Sequence, residues 1–152
     1  MKEPYAVSSL DDVRNRKLPE RRWLVPGAIT HPSIGMTYAR RGSGKTFFAL
    51  KLALDVAFGC KWAKPFGACP PRNVLYVDGE MALPDIYGRI QQMLPEYPGT
   101  GAFHILNGEQ IALEQGDNVN LSLHACRSRL EHTLVDIEKR TKLPVEFMVL
   151  DN

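Results

Sequence analysis

The chain has 152 residues, 44% of them hydrophobic, which is enough for one domain with a core of its own and too little for two. Its 19 basic and 17 acidic residues leave a formal charge of +2 and are spread along the whole chain, so no basic stripe marks a nucleic-acid surface. Cys60, Cys69 and Cys126 are odd in number and form no CxxC pair, which argues against a disulfide framework or a zinc site and for reduced thiols.

The first ten residues hold no apolar signal core, and no apolar run approaches the roughly 18 residues that span a bilayer, so a soluble, cytoplasmic protein without a membrane partner is expected. Residues 1–33 carry scattered charge, several prolines and the apolar patch Trp23-Leu24-Val25, and read as a leader that docks on a core formed by 34–152. Four short apolar runs, 34–38, 74–77, 103–106 and 147–150, predict strands that alternate with helical patterns, the signature of an α/β fold with a parallel sheet. A helix over 46–58 is apolar almost all round, broken only by Lys51 and Asp55, and Gly59 stops it. Over 83–94, Ile86, Ile90, Met93 and Leu94 share one face, with Pro84 in the first turn. From Leu123 onward Cys126, Leu130, Leu134 and Ile137 keep a three-to-four spacing, with Asn120 or Ser122 as candidate cap and Pro144 beyond the end. Stretches 61–73 and 107–120 read as polar or Gly/Pro-rich loops. The histidines, His31, His104, His124 and His132, form no i, i+4 ligand pair, and His104 inside an apolar run reads as a satisfied core residue.

The chemistry sits in Ala39-Arg40-Arg41-Gly42-Ser43-Gly44-Lys45-Thr46, which follows an apolar run and opens a helix, the context of a phosphate-binding P-loop. Backbone N–H groups can wrap a polyphosphate only where no side chain blocks the approach, and Gly42 and Gly44 give that access. The following helix N-terminus favours anions, Lys45 reaches the β and γ phosphates, and the Thr46 hydroxyl suits Mg²⁺, so ATP with Mg²⁺ is the expected ligand. Ser43 lies within the cradle, while Arg40 and Arg41 at its tip are assigned to the phosphates with solvation as the alternative. Ala39 stands where the commonest form of the motif has glycine. Two apolar runs end in acids. The run closing on Asp151 has the form of a Walker B element and makes Asp151 the metal-side carboxylate, an ordinary strand-end turn being the alternative. In Val74-Leu75-Tyr76-Val77-Asp78-Gly79-Glu80 the glycine lets the chain turn so that Glu80 projects as candidate base, with Asp78 as rival.

With WLVPG, YARRGSGKT, VLYVDGEM and FMVLDN in this order, the sequence from about Trp23 resembles the RecA-fold ATPases, and most closely the RepA-type hexameric replicative helicases of plasmids and phages. The resemblance implies a RecA-like, mostly parallel sheet flanked by helices, a partial ATPase domain over 34–152, Glu80 as base, Lys45 and Thr46 on phosphate and Mg²⁺, and Asp151 as Walker B acid. It also implies DNA as partner and a homo-hexamer for the full-length protein. Family members continue past Walker B into a sensor strand and an arginine finger, so a chain truncated there, lacking a central strand and weak as an ATPase, is expected. A nucleotide-operated regulatory or loader ATPase of the KaiC-like kind is the second reading, and a small-molecule kinase the third.

Overall fold

The computed structural model describes residues 5–18, 20–59, 70–97 and 102–151. Two periods, that of the strand and that of the helix, organise it. In β3 (Asn73–Asp78) all six residues are buried, and alternate side chains enter different clusters. Val74 and Tyr76 join Leu50, Ala53, Val56 and Ala57 of α2 (Lys45–Phe58) and Ile86 of α3 (Leu83–Met93), whereas Leu75 and Val77 meet Ile137 of α5 (His124–Thr141). A strand buried on both faces belongs at the centre of a parallel sheet, and β3 is the middle of three: β4 (Phe103–Asn107), β3, β5 (Val145–Asp151), all parallel. The 3.6 period of the helices supplies the outer layers, with α2 and α3 on one face and α5 on the other.

The amide of Arg72, just before β3, donates to the Val56 carbonyl near the end of α2 at 3.0 Å. Helix and strand therefore run antiparallel. From Thr46 to Val56 the helix rises about 15 Å, and β3 spans about 16 Å, so the first turn of α2 lies level with the carboxyl ends of the strands. Gly59 takes a left-handed conformation (φ 94°) and its N–H closes on the Asp55 carbonyl, the helix stop expected of it.

Before the sheet, α1 (Leu10–Asn15) buries no residue and is held by a reciprocal Ser9–Asp12 capping box. The antiparallel pair β1 (Arg22–Val25) and β2 (Ile29–His31) inserts Leu24 and Val25 into the α2-side cluster. Arg22 and Arg72 both bond the carboxylate of Glu146 at the start of β5, Arg72 at 2.7 Å, which ties this hairpin to the sheet. Among the described residues no helix is long and apolar enough to cross a membrane.

Three expectations need correction. Residues 34–38 form no strand: Ile34 is fully exposed, Met36 and Tyr38 are 93% and 92% exposed, and no described strand pairs with the far edge of β5. An extended segment without a hydrogen-bonding neighbour has no ladder to join, however apolar it is. Residues 107–120 are not all loop, because α4 (Gly108–Gln115) forms there, capped by the Asn107 side chain, which accepts from the Gln110 amide at 3.0 Å, and closed by left-handed Gly116. Neither Asn120 nor Ser122 caps α5. Its N-cap is Leu123, and Asn120 spends its side-chain oxygen on the Ser122 amide in a preceding turn. Asp55, one of the two charged residues that break the apolar surface of α2, is fully buried. The Tyr97 hydroxyl donates to it at 2.7 Å and accepts from Lys51 Nζ at 2.7 Å, beyond the short 3₁₀ turn Leu94–Glu96 that ends α3. Burial pushes the Tyr97 phenol up to about 12. Of the loop expected over 61–73, the greater part lies outside the described residues, as do Cys60 and Cys69.

His104 on β4 meets the Asn73 side-chain oxygen at 2.9 Å, and burial lowers its pKa below the ordinary 6.5. The unfolded chain then binds a proton that the folded one resists, so stability falls as pH drops below about 6.5. We expect the wild-type unfolding midpoint in urea to decline between pH 7 and pH 5, and His104→Gln to decline less over that range.

Candidate functional site

The loop 39–46 is built by two left-handed glycines. The Ser43 amide closes a turn on the Arg40 carbonyl at 3.2 Å, with Gly42 (φ 79°) at its third position. Gly44 (φ 86°, ψ 21°) is the N-cap of α2 and has no side chain with which to cap it. A Cβ at either glycine meets no atom within 4 Å, so the backbone angle alone demands glycine there and the space beside the loop stays open. The N–H groups of the first turn have no partner within the helix. Arg40, Arg41, Gly42, Ser43 and Gly44 are exposed, and Lys45 and Thr46 half-buried. Lys45 folds back over the loop and donates from Nζ to the carbonyls of Ala39 at 3.2 Å and Arg40 at 3.4 Å. A cation, open glycine backbone and a helix N-terminus thus meet in one loop, which is what an oligophosphate needs.

Parallel register sets Asp78 beside Asp151 where β3 and β5 end, and the Gly79 amide crosses to the Asp151 carbonyl at 3.1 Å. Asp78 is fully buried. It accepts from Asn107 Nδ2 at 2.7 Å and from the Met81 amide at 3.1 Å, and burial, with Asp151 as a further contributor, raises its pKa. The rival base is therefore a side chain already committed to holding its own turn. Glu80, one residue past Gly79, is exposed in that turn. Asp151 is half-buried and accepts from the Tyr76 hydroxyl at 2.7 Å. Burial first, then the Asp151 bond, holds the Tyr76 phenol far above its usual range, while the charge of Arg89 pulls the other way. Arg89 on α3 also lies 4.8 Å over the ring of Phe47, in the first turn of α2, so its guanidinium spans the gap between loop and strand ends. Beside it a hollow of about 440 Å³ is lined by Phe47, Pro84, Asp85, Gly88, Arg89 and Gln92.

Among the described residues no three His, Cys, Asp or Glu side chains group to hold a metal. A hydroxyl at Thr46 and a carboxylate at Asp151, on a helix and strand that pack together, suit instead an ion that takes one or two protein oxygens and completes its shell with phosphate and water, the habit of Mg²⁺.

Two residues of this region escaped the sequence reading, and Arg89 is given no role by it. Tyr76 is a phenol in an otherwise apolar strand, and Asn107 closes an apolar run, which are visible signals; the contact of Arg89 with Phe47 is not visible, since Phe47 lies on another helix. Asn107 joins three elements by capping α4, bonding Asp78 and donating to the Met81 carbonyl at 2.9 Å. Asn107→Ala leaves these buried partners unmatched and is expected to cost about 1–3 kcal/mol in chemical denaturation, with Asn107→Asp losing the Asp78 bond but keeping the cap.

No curated protein and no solved structure matches the chain. The family model for the AAA domain matches residues 2–152, nearly the whole sequence. With its α/β layering and parallel sheet, this nucleotide-binding ATPase-type chain belongs to the AAA domain family.

Proposed function

We propose that residues 39–46 bind the phosphates of ATP with Mg²⁺ and that the domain hydrolyses it. The observation that carries this reading is the left-handed Gly44 opening α2 with Lys45 turned back over its own loop. The Nζ hydrogen bonds to two carbonyls are replaceable by phosphate oxygens at the same loop, and an ammonium gains more from an anion than from neutral carbonyls. Backbone amides at Gly42 to Lys45 then follow the β and γ phosphates, with Arg40 and Arg41 at the tip adding charge. Thr46 and Asp151 hold the metal from the helix and strand sides. Held there, Mg²⁺ would offset the charge that builds on the transferred group. Glu80, exposed beyond Gly79 and free of the bonds that occupy Asp78, orients the attacking water. Arg89, stacked on Phe47, braces α3 against the P-loop helix.

By resemblance of the motifs the domain is RecA-like and belongs with the RepA-type helicases that act on DNA as cytoplasmic hexamers. In such rings a neighbour's arginine completes the site, worth several orders of magnitude in rate, so a single copy turns over slowly.

Calorimetry tests the binding reading. Wild type is expected to bind Mg-ATP and Lys45→Ala to lose roughly tenfold to a hundredfold in affinity, the cost of one or two charge-assisted hydrogen bonds; a folded wild type that binds no nucleotide overturns it. The helicase reading predicts that single- or double-stranded DNA accelerates ATP turnover by the assembled protein, and it fails if neither does.

A further inference from the structure

We propose that Tyr76 is the positioning residue for Asp151, fixing the carboxylate that the proposed site offers to Mg²⁺. The inference rests on that assignment of Asp151 and deepens it. Tyr76 lies in the central strand of the sheet, fully buried, between the apolar neighbours Leu75 and Val77, and its ring packs in the cluster that holds Leu50, Ala53 and Val56 of α2. A phenylalanine fills the same space, so packing gives no reason for the hydroxyl. Burying a hydroxyl costs free energy unless a partner is found.

Its partner is distant in the ladder. Register sets Tyr76 opposite Val149, and the ring reaches two residues further along β5 to donate to Asp151 Oδ2 at 2.7 Å. That bond takes one carboxylate oxygen and sets the plane of the group. Without it a strand-end aspartate samples several rotamers, and the ion must then impose the order at its own cost. Outer partners of metal-binding side chains act in this way, and their removal typically weakens metal binding about tenfold to a hundredfold. Asp78 is excluded from the same task, because Asn107 and the Met81 amide already hold it.

The test uses a fluorescent ATP analogue and Mg²⁺ titrations of wild type, Tyr76→Phe, Asp151→Asn and the double variant, with urea unfolding of each to establish that it is folded. In Tyr76→Phe the Mg²⁺ concentration for half-maximal binding is expected to rise about tenfold, while binding without Mg²⁺ stays at the wild-type level. In the Asp151→Asn background the same change should have no further effect, because the hydroxyl acts only through that carboxylate. A merely structural role for Tyr76 gives equal losses in both backgrounds and overturns the proposal, as does an unaltered Mg²⁺ dependence in folded Tyr76→Phe. If wild type binds the analogue with no Mg²⁺ dependence or not at all, the assignment of Asp151 falls and this proposal with it.

Discussion

The parallel pairing of β3 with β5 is the constraint on which the rest of the structure depends. Two apolar strands in register, each closing on an aspartate, bring two acidic residues to one edge on neighbouring strands about 4.8 Å apart. Burial, with the Asp151 charge adding to it, raises the cost of ionising Asp78. The surroundings answer with donors from different directions: Asn107 and a backbone amide for Asp78, the Tyr76 hydroxyl for Asp151, and the cation of Arg89 nearby. The two acids are thereby made unlike. One is buried and occupied within its own turn, the other sits at the surface with a defined orientation.

Helix α2 divides the labour along its length. All its buried residues, from Leu50 to Ala57, lie in the later part, where they meet the sheet, and the Asp55–Tyr97–Lys51 contacts anchor the same end. The first turn, Lys45 to Phe48, is half-buried or exposed and has no side-chain cap. A terminus meant to receive an anion cannot also be sealed by its own chain, so the stability of the helix must come from the far end.

Period and punctuation made much of this readable in the sequence. Three of the strands, the stop at Gly59, the face of α5 and the P-loop glycines all follow from local pattern, because their causes lie within a few residues. What was missed depends on partners elsewhere in the chain. The segment 34–38 has the pattern of a strand, but strand formation is decided by a neighbour, and none of the described strands takes that place. The burial of Asp55 has no local sign, because its partner, Tyr97, comes 42 residues later and supplies the bond that makes burial tolerable. Helix α4 is too short and too polar to show a periodic face; its cap at Asn107 was the available sign. The same holds for the proposed site: the assignments of Lys45, Thr46 and Glu80 rest on motif, whereas the contacts of Tyr76 and Arg89 exist only once the chain is folded.

The uncovered side of β5 has a consequence for behaviour in the test tube. Seven residues, with Met148 and Leu150 exposed, offer on one side a row of peptide groups that no other described strand pairs with, and Ile34, Met36 and Tyr38 add apolar surface to the same molecule. No proline or lysine interrupts this strand to discourage a second chain from docking along it. Such an edge is a template for intermolecular strand addition, and association of that kind grows with concentration. Clouding on concentration, slow growth of oligomers and sensitivity to salt are then properties of an unguarded border, separate from the strength of the core behind it.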